Sequence, residues 1–320
     1  MNKIRIGVMG CANIAERYMI PAINALEEFK LVAVASRTQE TAQKFAEKFN
    51  CEAIVGYQSL LEREDIDAIY LPLPTGLHNE WINKSLDAGK HILAEKSLGI
   101  DFHSTKAMVE KAQEKKLLLM ENFQFQYHSQ HNYVKKLLTS GEIGEMRSFR
   151  ASFGFPPLAW NNFRYNAELG GGSLLDAGSY MLKVSQFFLG SDLEVKAADL
   201  VYDEELKVDL YGTAYLTNGK LSSQVAWGFD NFYQCNYEIW GSKGKLSCER
   251  AYSAPPGFSP KIIIEKQGLR TEILLDSDNH FENILKYFRH SILEQKYEHH
   301  FKEILTQARL IEQVKLKTSL

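Results

Sequence analysis

Three groups of residues in this 320-residue chain have types and spacings suited to chemistry. The first, Gly10-Cys11-Ala12-Asn13-Ile14-Ala15, follows a short apolar run from Ile4 to Met9. Small residues at a strand-to-helix turn let backbone approach a pyrophosphate, whose charge then rests on N–H groups at the helix N-terminus. The fingerprint for that task is G-x-G-x-x-G/A. Ala12 stands at its second glycine and Ala15 at its third small residue, so the loop must bow slightly around one extra methyl. Similar turns occur without ligands; the placement at the first strand and helix of an alternating pattern is what gives this one weight. The second group, Ser36-Arg37-Thr38, ends the second apolar run. An NAD site usually has Asp or Glu there for the ribose 2′-hydroxyl. A hydroxyl and a guanidinium fork suit a 2′-phosphate instead. NADP(H) is therefore expected in preference to NAD(H), the alternative being that Arg37 is a solvated loop arginine. The third group is Asp176 and Tyr180. Four residues apart on a helix, they would share one face, and a phenol with an ordinary pKa of about 10 suits acid duty in a reduction. The alternatives are a helix-terminus carboxylate and a core aromatic.

The elements that must position these groups follow from periodicity. Ile4–Met9, Leu31–Ala35, Ala68–Leu71, His91–Ala94 and Leu117–Met120 read as strands. Helices fit Asn13–Leu26, Gln39–Phe49, Leu77–Ala88 and His103–Glu114. Such alternation implies a parallel sheet covered on both faces. The pattern changes after Asn122. A helix at Tyr133–Thr139 precedes strands from Met146 and a strand-rich run from Val195 to about Leu275. Asn218-Gly219 between alternating runs signals a type I′ hairpin, and Ser242-Lys243-Gly244 a second turn. Helices at Phe281–Leu293 and Phe301–Val314 close the chain. The fold class is α/β: a dinucleotide-binding Rossmann domain over 1–122, then an α+β domain over 123–320 with a mostly antiparallel sheet backed by helices.

Composition bounds the function. Apolar residues make up 45% and charged residues 24%, as in ordinary globular proteins. A net charge of -3 without a long basic cluster argues against nucleic acid. No apolar run reaches the roughly 18 residues a membrane span needs, and the apolar start is too short for a signal peptide. Cys11, Cys51, Cys235 and Cys248 form no CxxC pair, which speaks for reduced thiols in the cytoplasm rather than zinc or disulfides. His299 and His300 lack partners at metal spacing and read as a solvated helix end. No metal is expected.

GVMGCANIA, LPLPTGLHNEW with AEKSL, and ELGGGSLLDAGSY together resemble the glucose–fructose oxidoreductase / inositol dehydrogenase (Gfo/Idh/MocA) family. The similarity runs over nearly the whole chain, including YEIWGSKGKLSCERAYSAPP. The resemblance implies hydride transfer at a carbon–oxygen centre, usually of sugars or cyclic polyols. It also implies that the sheet of the second domain is open and serves substrate binding and oligomerisation. Its E-K-P motif matches Glu95-Lys96-Ser97, serine standing for a proline that is cis in many relatives. By resemblance Lys96 reaches substrate oxygen and nicotinamide ribose; by itself, a strand-end lysine reads as a surface residue. The loop of Leu73, Pro74, Thr75 and His78 is implied to pass under the adenine ribose and nicotinamide, while His78 alone reads equally as a capping or core histidine. Tyr180 replaces the family's usual His, as in its nucleotide-sugar ketoreductases and dihydrodiol dehydrogenases. Arg164 is read as a partner for a diphosphate or the cofactor, or as half of a structural ion pair. Gly170-Gly171-Gly172 is either a close approach to a ligand or a flexible turn. Relatives often carry Arg at Gln126, so no role passes to it, and His128 is either a cleft residue or a buried histidine. The sharpest expectation is NADPH-dependent reduction of a nucleotide-linked keto-deoxyhexose at C3. The alternatives are a dehydrogenase of a free sugar or cyclic diol, and an NADP-binding regulator without catalysis. A homodimer or homotetramer is also implied. Trp227, Phe229, Tyr237 and Trp240 would then supply apolar contact, unless they cover the domain's own helices.

Overall fold

The computed structural model describes residues 3–318. Their contacts divide them into two units, Met1–Asn122 with Phe281–Leu305, and Phe123–His280 with Thr306–Leu320.

The first unit holds a six-stranded sheet of β1 (Ile4–Met9), β2 (Phe29–Ser36), β3 (Glu52–Val55), β4 (Ala68–Leu71), β5 (His91–Glu95) and β6 (Leu119–Asn122). The strand order is β3-β2-β1-β4-β5-β6 and every pairing is parallel. This is the doubly wound order whose ligands bind at the carboxyl ends of the strands, where the direction of winding reverses between β1 and β4. The helices are α1 (Ile20–Ala25), α2 (Gln39–Phe49), α3 (Tyr57–Leu61), α4 (His78–Asp87) and α5 (Phe102–Lys115). All four residues of β4 are buried, as are Ile6, Val8 and Met9 of β1. Burial on both faces explains why these strands read as continuous apolar runs, each large side chain contributing about 1.5–3 kcal/mol. Periodicity did not reveal β3 or α3. At β3 the residues are exposed or half-buried, so it lacks the apolar signal of the inner strands.

In the second unit α6 (Ser129–Thr139), β7 (Met146–Gly154) and α7 (Ser179–Leu189) precede β8 (Glu194–Tyr202), β9 (Asp209–Thr217), β10 (Ser222–Gly228), β11 (Gln234–Gly241), β12 (Lys245–Glu249), β13 (Lys261–Lys266) and β14 (Leu269–Leu274). Eight strands form one sheet in the order β14-β13-β12-β11-β7-β10-β9-β8. Only β7–β10 is parallel; the other pairs are antiparallel. One face packs on α6 and α7 through an aromatic core in which Tyr237 stacks on Phe149 at 5.6 Å. Trp227, Phe229 and Tyr237 are buried on this side. Of the four aromatics considered for subunit contact, only Trp240 is exposed. The β9–β10 turn also differs from the type I′ expectation. That turn needs left-handed φ at both central residues, but within Asn218–Leu221 only Gly219 has it. The Asn218 side chain accepts from the Lys220 and Leu221 amides at 3.1 and 2.9 Å and sets a different local geometry.

Two helices close the chain, α8 (His280–Glu294) and α9 (Glu298–Lys317). The sequence division placed 281–305 in the second domain, whereas contacts place this segment in the first unit. Ring packing supplies the reason: Phe281 stacks on Tyr18 at 4.8 Å, and Tyr297 meets His91 edge-on. His300 is not a solvated helix end. It is buried, with Nε2 2.9 Å from Ser291 Oγ, while exposed His299 meets the Tyr287 hydroxyl. No helix among the described residues is long and apolar enough to cross a membrane.

Candidate active site

The turn after β1 is held by Gly10, whose φ of +119° is left-handed and whose amide donates to Ala35 O at 3.0 Å. The conformation favours glycine, and a Cβ here would also lie 2.8 Å from Leu73 Cδ2, which would have to shift. Cys11, Ala12 and Ile14 are half-buried and Asn13 is exposed. The chain then makes a π turn, Ala15–Met19, before α1. Cys11 Sγ points to Thr41 O, and burial pushes its thiol up to about 11. At the end of β2, Ser36 is buried and Arg37 exposed. Thr38 caps α2, its hydroxyl accepting from the Thr41 amide at 3.4 Å. These residues fit a phosphorylated dinucleotide. Gly10 leaves the turn bare for close approach, and Ser36-Arg37 presents a hydroxyl and a cation with no carboxylate at the strand end.

The ends of β4 and β5 form the next part. Leu73 and Thr75 are buried and Pro74 is half-buried. His78 is fully buried and both ring nitrogens face backbone carbonyls, Nε2 at 2.8 Å from Leu73 O and Nδ1 at 3.1 Å from Leu98 O. Its ring therefore serves the protein's own loops. Glu95 Oε1 accepts from Tyr70 Oη at 2.7 Å and Asn122 Nδ2 at 2.5 Å. Burial pushes this carboxyl up, against the pull of those two donors and the Lys96 charge. Lys96 is half-buried, and the Lys96–Ser97 peptide is cis, the geometry expected of the proline that Ser97 replaces.

In the second unit Arg164 Nε donates to Asp176 Oδ2 at 2.7 Å. Arg164 thus forms the ion pair that one of its two readings describes. Gly171 and Gly172 pack closely against the protein's own chain, so the segment is not a loose turn. A Cβ on Gly171 would meet Arg164 O at 2.5 Å and Asn166 O at 2.7 Å, and one on Gly172 would collide with Asp209 Oδ1. The loop is folded on itself, with the Gly172 amide donating to Arg164 O. Asp209, at the head of β9, accepts from the Leu174 amide and Ser173 Oγ, both at 2.6 Å. Burial pushes the Asp209 carboxyl up, while these donors oppose it. Asp209 thus anchors the turn that carries Asp176. That turn, Leu174–Gly178, is π-helical and passes into α7 at Ser179, so the plain α-helical spacing assumed for Asp176 and Tyr180 does not hold. Tyr180 is buried among Phe123, Phe125, Phe153 and Tyr252, and its Oη accepts from Gln124 Nε2 at 3.4 Å. Sequence reasoning missed Asp209 and Gln124. The signal for Gln124 was its polar side chain between Phe123 and Phe125; for Asp209 it was a carboxylate opening an alternating strand. His128 takes the buried alternative, its Nδ1 accepting from the Gln130 amide.

Residues 4–123 match a family model described as an oxidoreductase family with an NAD-binding Rossmann fold, and residues 131–247 match the GFO/IDH/MocA C-terminal domain. The chain is 44% identical over 290 residues to a dTDP-3,4-didehydro-2,6-dideoxy-alpha-D-glucose 3-reductase of Saccharopolyspora spinosa, covering 90% of this chain and 87% of that one. It is 41% identical over 316 residues to the protein of the same name in Actinomadura kijaniata, covering 98% and 95%. A solved structure of a 3-ketoreductase from Actinomadura kijaniata, in complex with NADP and TDP-benzene, superposes with a TM-score of 0.96 at 40% identity, covering 99% and 98%. The Gly10–Ala15 turn, the Glu95-Lys96 strand end and the Asp176–Tyr180 turn thus stand in a chain that belongs to the Gfo/Idh/MocA family of oxidoreductases.

Proposed function

We propose that this oxidoreductase uses NADPH to reduce the C3 ketone of a dTDP-linked 3,4-didehydro-2,6-dideoxyglucose. The reading is carried by the presence of both Lys96 and a buried Tyr180 in a chain 41% identical over 98% of its length to a reductase of that name. Solved structures of the Actinomadura ketoreductase with one tyrosine changed to phenylalanine, or one lysine to alanine, lend it further support.

In this reading Gly10, Cys11, Ala12, Asn13 and Ile14 cradle the pyrophosphate, and Ser36, Arg37 and Thr38 take the 2′-phosphate. Leu73, Pro74 and Thr75 line the cofactor beside them, with Glu95 behind Lys96. When bound, the reduced nicotinamide supplies the hydride. Tyr180 Oη gives its proton to the carbonyl oxygen, and the Gln124 amide, already donating to that phenol, steadies the phenolate left behind. The Lys96 ammonium attracts the negative charge growing on the same oxygen. Asp176, held by Arg164, orients a hydroxyl of the sugar.

The chain works as a homo-oligomer in the cytoplasm. Four free cysteines fit a reducing compartment. The sheet face opposite the aromatic core exposes Tyr211, Tyr215 and Trp240, a surface suited to a second copy.

The test is a parallel fluorescence titration with NADPH and NADH, followed by turnover on the dTDP-linked 3-keto sugar against free pentoses, inositols and cyclic diols. Tight NADPH binding with turnover of the dTDP sugar alone is expected. Turnover confined to the unactivated compounds would overturn the substrate, and NADPH binding without turnover of any of them would favour a regulatory protein.

A further inference from the structure

The geometry points to His78 as a positioning residue for Lys96, tying the loop that follows the lysine to the loop that roofs the phosphate turn. This rests on the catalytic reading of Lys96 given above.

The connections are continuous. The Leu73 side chain packs where a Cβ on Gly10 would fall. The Leu73 carbonyl lies 2.8 Å from His78 Nε2, and His78 Nδ1 lies 3.1 Å from the carbonyl of Leu98, two residues beyond Lys96. The Ser97 carbonyl also faces the ring. The Leu98 amide donates to Glu121 Oε1 at 2.8 Å, so the peptide groups of Leu98 are engaged on both sides. Ser97 is buried. The backbone after Lys96 therefore has little freedom while the imidazole is in place, and a lysine anchored by its main chain meets an oxygen with less loss of order.

The ring also feels the Lys96 charge. Burial, the larger effect, and the Lys96 ammonium both favour neutral imidazole, while the three carbonyls favour the protonated form. A neutral ring carries one N–H, so it donates to one of these two carbonyls at a time, and a change of tautomer passes the bond from one loop to the other. No aliphatic residue reproduces this, and a glutamine amide, with two N–H groups, does so in part.

The test is a double-mutant cycle, read as pre-steady-state oxidation of NADPH by the dTDP-linked 3-keto sugar. His78→Leu is expected to slow the step about 10- to 100-fold, with the sugar KM and the NADPH Kd shifting less than about threefold. In a Lys96→Ala background the same change is expected to cost less than about threefold, because the residue it positions is gone. His78→Gln should recover much of the rate. Equal losses in both backgrounds, or a Kd that rises as much as the rate falls, would make His78 a general support of the fold or of the cofactor cradle and overturn the inference. Should His78→Leu not fold, the cycle is run with His78→Gln and His78→Asn on the same criteria. Undiminished turnover in Lys96→Ala alone would instead strike at the catalytic reading of the lysine.

Discussion

Arg164 Nε donates to Asp176 Oδ2 at 2.7 Å, and the two side chains are 29% and 15% exposed. Substrate and cofactor roles that sequence would distribute between them are thereby coupled, since whatever the carboxylate does it does with a guanidinium attached. A charged hydrogen bond of this kind is worth about 1.5–3 kcal/mol.

Removing the guanidinium should accordingly disturb catalysis more than cofactor affinity. For Arg164→Ala, kcat/KM is expected to fall about tenfold or more, which is at least about 1.4 kcal/mol of transition-state stabilisation. NADPH affinity is expected to stay within about twofold of the parent by fluorescence titration. A rise in the NADPH Kd matching the catalytic loss would instead assign Arg164 to the cofactor.

The phenol of Tyr180 sits at the edge of an aromatic cluster, so removing its oxygen leaves the ring packed. Tyr180→Phe is expected to lose about 100- to 10,000-fold in kcat, the range spanned by general acids, with its thermal midpoint unchanged. Lys96→Ala should lose turnover while still binding NADPH. A Tyr180→Phe enzyme with parental kcat would pass the proton-donor role to the lysine.

At the adenosine end, Arg37→Ala should weaken NADPH by about 10- to 100-fold, the worth of a charged hydrogen bond to phosphate. NADH affinity should hardly move, and the salt dependence of NADPH binding should flatten. Unchanged NADPH affinity and salt dependence would make Arg37 a solvated arginine after all.

Acid should unfold the second unit through its buried histidines. Burial is the main cause that pushes His131 and His280 down to about 3. His131 Nε2 lies 2.9 Å from Ala251 O and so donates to it, leaving Nδ1 to accept from Tyr237 Oη at 3.0 Å, both as the neutral ring. A histidine in the unfolded chain titrates at about 6.5. Between these values the unfolded chain takes up a proton that the folded chain refuses. The stabilisation is complete above about 6.5 and declines as pH falls, by about 1.4 kcal/mol per pH unit for each residue. Urea midpoints at neutral and mildly acidic pH should diverge in the parent and draw together in His131→Gln.

The open sheet face supplies a prediction on assembly. Tyr215→Glu, on the outward side of β9, should reduce the mass measured by light scattering at micromolar concentration to that of one chain. A parent already monomeric under those conditions would remove the oligomer from the proposal.

Much of this was legible in the sequence because the inner strands are buried on both faces and therefore write themselves as apolar runs. Ile4–Met9 and Ala68–Leu71 are the clearest cases, and both emerge with the bounds read from periodicity. Exposed β3 had no such signature. Gly10 was legible for a different reason: its φ of +119° is strained for any residue with a side chain. The glycines at 170–172 show the limit of that logic. Sequence can tell that something lies close, yet the neighbours are Arg164 O, Asn166 O and Asp209, the last 37 positions from Gly172, which no local pattern names. The π turn at Leu174–Gly178 was hidden similarly, since one extra residue in a turn leaves composition untouched and depends on Asp209 gripping its start. His78 had two readings from sequence, and its two carbonyl neighbours select the buried one.

The return of 281–305 to the first unit carries a consequence for how the protein comes into being. Tyr18 and His91 are made more than 200 residues before the rings that cover them, Phe281 and Tyr297. The Rossmann sheet leaves the ribosome with these aromatic surfaces still bare, and its final packing waits until the second unit has been translated. A gene cut after codon 122 would therefore yield a sheet without its cover, whereas a circular permutation that begins near residue 281 would place cover and sheet side by side in the nascent chain.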